Sequence, residues 1–61
     1  MSPKYDIFKE HSDGSFALIE SVDGIVAAEQ RLGILVATRP GRYHIWDPSF
    51  RRFVNSLAKS A

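Results

Sequence analysis

Site chemistry needs a nucleophile, or an acid and base held by an orienting partner. His11 and His44 are the only histidines. His11 stands beside Asp13 in a turn-forming stretch, and His44 stands two residues before Trp46. A metal site would need a further ligand, with Asp47 or Glu10 as the candidates, and no ligand spacing supports one. The carboxylates Asp6, Glu10, Asp13, Glu20, Asp23 and Glu29 read as solvated strand edges, turns and caps. Nothing in their spacing sets two of them in an apolar pocket. G-x-S-x-G, the phosphate-cradling G-x-x-x-x-G-K-[ST], G-x-G-x-x-G and H-E-x-x-H are all missing. The expectation is a non-enzymatic protein with no catalytic residue, no metal and no cofactor.

A basic and aromatic run offers a different chemistry. Arg39, Arg42, Tyr43, His44, Trp46, Phe50, Arg51, Arg52 and Phe53 follow one another closely. Guanidinium forks hold phosphates, and exposed aromatic rings stack on unpaired bases. The candidate nucleic-acid contacts are therefore Arg39, Arg42, Arg51 and Arg52. The competing reading makes the aromatics core or interface and pairs the arginines with acidic residues elsewhere. A ribbon-helix-helix reader is disfavoured. Its ribbon would show Phe16, Leu18 and Glu20, or Ala17, Ile19 and Ser21, and neither set suits major-groove readout.

Charge separates along the chain. Residues 1–30 carry two lysines against six carboxylates, and residues 31–61 carry five arginines and one lysine against Asp47. The net charge is +1, so the halves either attract each other or mark an interaction surface. Sixty-one residues make one domain, which buries only about 60% of its unfolded surface. There is no cysteine to staple it. Good packing or a partner subunit must supply the rest. The N-terminal stretch lacks the apolar run of a signal peptide, and no segment has the length of a membrane span. A cytoplasmic setting with no membrane partner is the expectation.

The elements follow from periodicity and punctuation. Residues 4–10 alternate, with Tyr5 and Ile7 on one face and Asp6, Phe8 and Glu10 on the other. Asp13-Gly14 turns the chain into a second strand over 15–20. Ser21 to Thr38 reads as a helix, with Ser21 or Asp23 as N-cap. Its stripe is Ile25, Ala28, Leu32, Leu35 and Val36. Gly33 hints at close packing, because glycine lowers helix propensity. Pro40-Gly41 ends the helix. Residues 42–47 form a third strand, Tyr43 and Ile45 on one face and His44 and Trp46 on the other. Asp47-Pro48 then opens either a turn into a fourth strand over 51–55 or a short helix with Phe50, Phe53, Val54 and Leu57 at helical spacing. Residues 1–3 and 58–61 are expected to be disordered.

The turn DGSF, an apolar strand ending E-S-V, a helix with A-E-x-R-L, and P-G-x-Y with I and D beyond it resemble a group of small uncharacterised bacterial proteins of ββαββ pattern. The resemblance spans about residues 5–54 and implies a bacterial cytoplasmic setting and no catalytic residue. One departure is the stretch Ser49-Phe50-Arg51, where that pattern has a glycine-containing turn.

The expected fold is α+β: an antiparallel sheet of three or four strands in the order 2-1-3-4, with one helix on one face. Val26, Ile34, Trp46, Phe50 and Phe53 exceed what one helix on one sheet covers, so they form the candidate interaction surface. The expected function is a protein-interaction module that self-associates as a homodimer, with nucleic-acid binding through 39–53 as the alternative. A small-molecule site between helix and sheet is a third reading.

Overall fold

The computed structural model of the chain describes residues 3–59. It holds β1 (Lys4–Glu10), β2 (Phe16–Asp23), α1 (Ile25–Thr38), β3 (Gly41–Asp47) and β4 (Arg52–Lys59). The strands form one sheet in the order β2-β1-β3-β4, and every neighbouring pair is antiparallel. The class and the strand order are those expected from the sequence.

Each turn has its own chemistry. At the β1–β2 hairpin, His11 N donates to Ser15 O at 2.8 Å, and Gly14 N to His11 O at 3.0 Å. Asp13 Oδ1 accepts from Ser15 N at 2.9 Å and from Ser15 Oγ at 2.6 Å. Those two bonds, the hydroxyl first, hold the Asp13 carboxyl below its ordinary 3.8. At the β3–β4 turn, Asp47 is buried, and its Oδ1 accepts from Ser49 N at 2.9 Å and Phe50 N at 3.4 Å. Arg51 takes φ 53, the left-handed conformation that a glycine usually fills. The fourth segment is thus a strand, and it runs through Lys59, into the stretch from 58 onward that is expected to be disordered. Residues 1–2 and 60–61, also expected to be disordered, lie outside the described residues.

The helix begins later than the sequence suggests. Ser21, Val22 and Asp23 stay in β2, opposite Asp6, Tyr5 and Lys4. Ser21 Oγ donates to Asp6 Oδ1 at 2.6 Å, and Val22 packs against the core. Ladder bonds and burial outweigh the capping preference of Ser21 and Asp23. Gly24 is the N-cap instead, at φ 86 and ψ 146, without a side-chain cap. Its N–H donates to Pro3 O at 2.8 Å.

The core lies between α1 and one sheet face: Ile7, Ala28, Leu32, Val36, Tyr43 and Ile45, flanked by Tyr5, Val22 and Leu35. Ile25, at the start of the predicted stripe, is exposed. Gly33 does not mark a close approach, since a Cβ built there meets nothing within 4 Å. Both edge strands carry a β-bulge. Ile19 is the extra residue in β2 and Val54 in β4. Bulges twist an edge and blunt its pairing with other chains.

Candidate interaction face

The side of the sheet away from α1 has no cover in this chain. Strand alternation sends Phe8, Leu18, Phe16, His44, Trp46 and Phe53 to that side, and the register brings them together. Phe16 from β2 reaches His44 on β3 with ring centroids 5.5 Å apart. It stacks on Phe53 of β4 at 5.6 Å and 29°. Phe8 meets Phe16 edge-on at 6.4 Å, and Trp46 meets Phe53 at 4.9 Å. Offset and edge-on pairs in this range are favourable. Phe8, Phe16, Trp46 and Phe53 line an apolar groove of about 220 Å³. Phe16 remains 47% exposed and Leu18 57%, so the cluster is a surface and not a second core.

A polar clasp borders the groove. His44 Nε2 lies 2.8 Å from Glu10 Oε1, and His44 Nδ1 lies 2.8 Å from Ser56 Oγ. An ionised Glu10 only accepts, so in the neutral ring Nε2 carries the hydrogen and Nδ1 accepts from the hydroxyl. Arg42 Nη1 stands 3.9 Å from Glu10 Oε2. The order serine–histidine–carboxylate invites comparison with a nucleophilic triad. Such a site needs donors aimed at an oxyanion. The serine's own backbone donor, Ser56 N, is taken by Asn55 Oδ1 at 2.9 Å. The clasp ties β1, β3 and β4 together beside the aromatic groove.

The residues singled out from the sequence fall in separate places. Trp46 and Phe53 are on the open face. Val26 (64% exposed) lies on the outer side of α1 and Ile34 (54% exposed) on its flank, beside Leu35 and Tyr43 at a cleft, with the sheet between both and the aromatic groove. Phe50 is in the β3–β4 turn under the Arg52 guanidinium, whose carbon is 5.4 Å from the ring centroid. The basic run is split as well. Arg39 and Arg42 are at the start of β3, and Arg51 and Arg52 follow its far end, about 20 Å away along a seven-residue strand. Tyr43 is core. Of the second-half arginines, Arg31 pairs with Glu20 and Arg42 with Glu10 among the described residues. The two halves of the chain thus attract each other in part.

Phe8, Phe16 and Leu18 were not legible as site residues. Their alternation was visible, but the register that sets Phe16 beside His44 across β1 is not a local property. Among the described residues no three His, Cys, Asp or Glu side chains converge as metal ligands, and no helix is long and apolar enough to cross a membrane.

Compared with protein-family models, with curated proteins and with solved structures, the chain matches none.

Proposed function

We propose that this chain is a small non-enzymatic interaction module that works as a homodimer in a cytoplasmic setting, and that the open sheet face is the self-associating surface. The uncovered aromatic cluster of Phe8, Phe16, Trp46 and Phe53 carries the reading. The largest apolar patch on a monomer is often a functional contact surface. The occupant is a second copy, laid sheet on sheet with its strands within about 30°. Area supports this. Strands about 4.8 Å apart and about 3.3 Å per residue give a face of about 19 by 25 Å. Two such faces meet over roughly 950 Å² before side-chain relief, near the lower limit of about 1,000 Å² for a specific interface. The dimer is therefore weak and concentration-dependent.

Light scattering over a concentration series tests it. The mass should rise from 6.9 kDa toward twice that value. Leu18→Lys should hold the chain monomeric and folded, and Ile34→Glu should leave the rise intact. A constant 6.9 kDa at every concentration refutes the proposal. Loss of association in Ile34→Glu alone moves the interface to the exposed surface of α1.

The stacked Phe16 and Phe53 rings favour one other reading, a platform for unpaired bases. Asp6 and Glu10 share that face, and the arginines stand at opposite ends of β3, so it ranks second. Titration with a labelled single strand and a labelled duplex at low salt decides it, because phosphate-driven binding weakens steeply with salt.

A further inference from the structure

On the covered side of the sheet, a second cleft opens between the C-terminal half of α1 and the strands beneath it. Its volume is about 330 Å³, and its lining includes Ile34, Leu35 and Tyr43 with Lys9, Arg31 and Arg39. That volume lies in the range of small-ligand sites, which combine apolar walls with a few placed polar groups. Among the described residues the lining holds three cations and no carboxylate.

The cations differ in what they are free to bind. Arg31 is engaged by Glu20. Lys9 and Arg39 have no carboxylate partner among the described residues. Lys9 is also held in place. A Cβ on Gly41 would come within 3.1 Å of its Cε, and its ammonium lies 5.7 Å from the Tyr43 ring centroid. Glycine at 41 thus leaves room for the lysine stem to lie against the sheet. The Tyr43 hydroxyl donates to Arg39 O at 2.8 Å, and Arg39 N to Leu35 O at 2.8 Å, so these groups at the helix end are already satisfied. The helix C-terminus is the negative end of its dipole, which places an anionic head on the Lys9 and Arg39 side chains and away from the last carbonyls.

We infer that this cleft binds a small organic carboxylate with a compact apolar body, its head on Lys9 and Arg39 and its body against Ile34, Leu35 and Tyr43. Bare inorganic anions leave the apolar walls unused, and neutral apolar molecules leave the two cations unused. The site is separate from the open aromatic face and does not depend on self-association.

The experiment is amide-resolved NMR titration at low salt with 4-phenylbutyrate, its neutral amide and inorganic phosphate. Phenylbutyrate should shift Thr38, Arg39 and Gly41. The amide and phosphate should each bind at least tenfold more weakly. Lys9→Gln should reduce phenylbutyrate affinity about tenfold with circular dichroism unchanged. Arg39→Gln, at an exposed position, gives the same reading if Lys9→Gln unfolds. Ile34→Glu should abolish binding by setting a carboxylate in the cleft. Equal binding of acid and amide overturns the inference. So does equal binding of phosphate, an unchanged affinity in both cation variants, or shifts confined to Phe8, Phe16 and Trp46.

Discussion

Ile7 and Ile45 sit directly opposite each other across β1 and β3, and neither has any exposed surface. They are the centre of the sheet's covered face. The two edge-strand bulges flank them, Ile19 beside Ile7 and Val54 beside Ile45. Each outer strand therefore bends at the level of this central pair.

That pair sets the first prediction. Large-to-small core changes cost about 2–5 kcal/mol for Ile→Ala and about 0.5–1.5 for Ile→Val. A domain of this size has a total stability of roughly 3–9 kcal/mol. Ile45→Ala should therefore bring the chain close to unfolding at 25 °C, while Ile45→Val stays folded with a lower urea midpoint. Equal midpoints for the two variants would mean that the site collapses without a cavity.

Gly33 gives the opposite sign. Its position has open space where a Cβ would go, and alanine exceeds glycine by about 1 kcal/mol in a helix interior. Gly33→Ala should raise stability by about 0.5–1 kcal/mol in urea unfolding. A loss would show that the helix packs there against a second copy.

The β3–β4 turn balances two effects at Arg51. Its φ of 53 costs a side-chain-bearing residue on the order of 1 kcal/mol. Glycine removes that strain but loosens the unfolded chain by about 0.5–1 kcal/mol. Arg51→Gly should thus change stability by under about 0.5 kcal/mol. Arg51→Val should lose more than about 1 kcal/mol, because a β-branched residue tolerates positive φ badly. Urea midpoints of both variants check the ordering.

The strands and the faces they present were legible because alternation is local. Tyr5 with Ile7, and Tyr43 with Ile45, declare one covered face. The strand order followed from connection lengths, since a helix between strands 2 and 3 lets strand 3 reach the free edge of strand 1. The helix start was misplaced because Ser21 and Asp23 are good caps, yet β1 extends to Lys4 and offers them ladder partners. Ser49-Phe50-Arg51 stands where the resembled pattern has a glycine-containing turn, and the buried Asp47 holds it by accepting two N–H bonds. The site was legible only in part. Composition picks out Trp46 and Phe53 but sets them with Val26, Ile34 and Phe50, and the sheet stands between Trp46 and the helix residues Val26 and Ile34. The clasp joins Glu10, His44 and Ser56 from three strands, so spacing in the chain gave no sign of it.

Acid should loosen the β1–β2 hairpin. The Asp13 carboxyl is held below 3.8 by its bonds to Ser15. A depressed carboxyl contributes stability above its unfolded value, and that contribution is lost as pH falls through the folded value. Local opening of residues 11–15 should therefore increase below about pH 4, read by amide exchange or by the Ser15 amide shift. Asp13→Asn should remove this pH dependence and leave the rest of the sheet unaffected.

The one tryptophan reports on the open face directly. Trp46 is half-buried, and its ring centroid lies 4.9 Å from that of Phe53. Sheet-on-sheet association would take the remaining ring surface out of water. Emission should shift to the blue as concentration rises, in step with the mass from light scattering. Leu18→Lys should fix the emission at its dilute value. Ile34→Glu, on the far side of the sheet, should leave the shift unchanged. A mass that doubles without any change in Trp46 emission would place the interface on α1, and emission and mass that both stay constant would remove the dimer altogether.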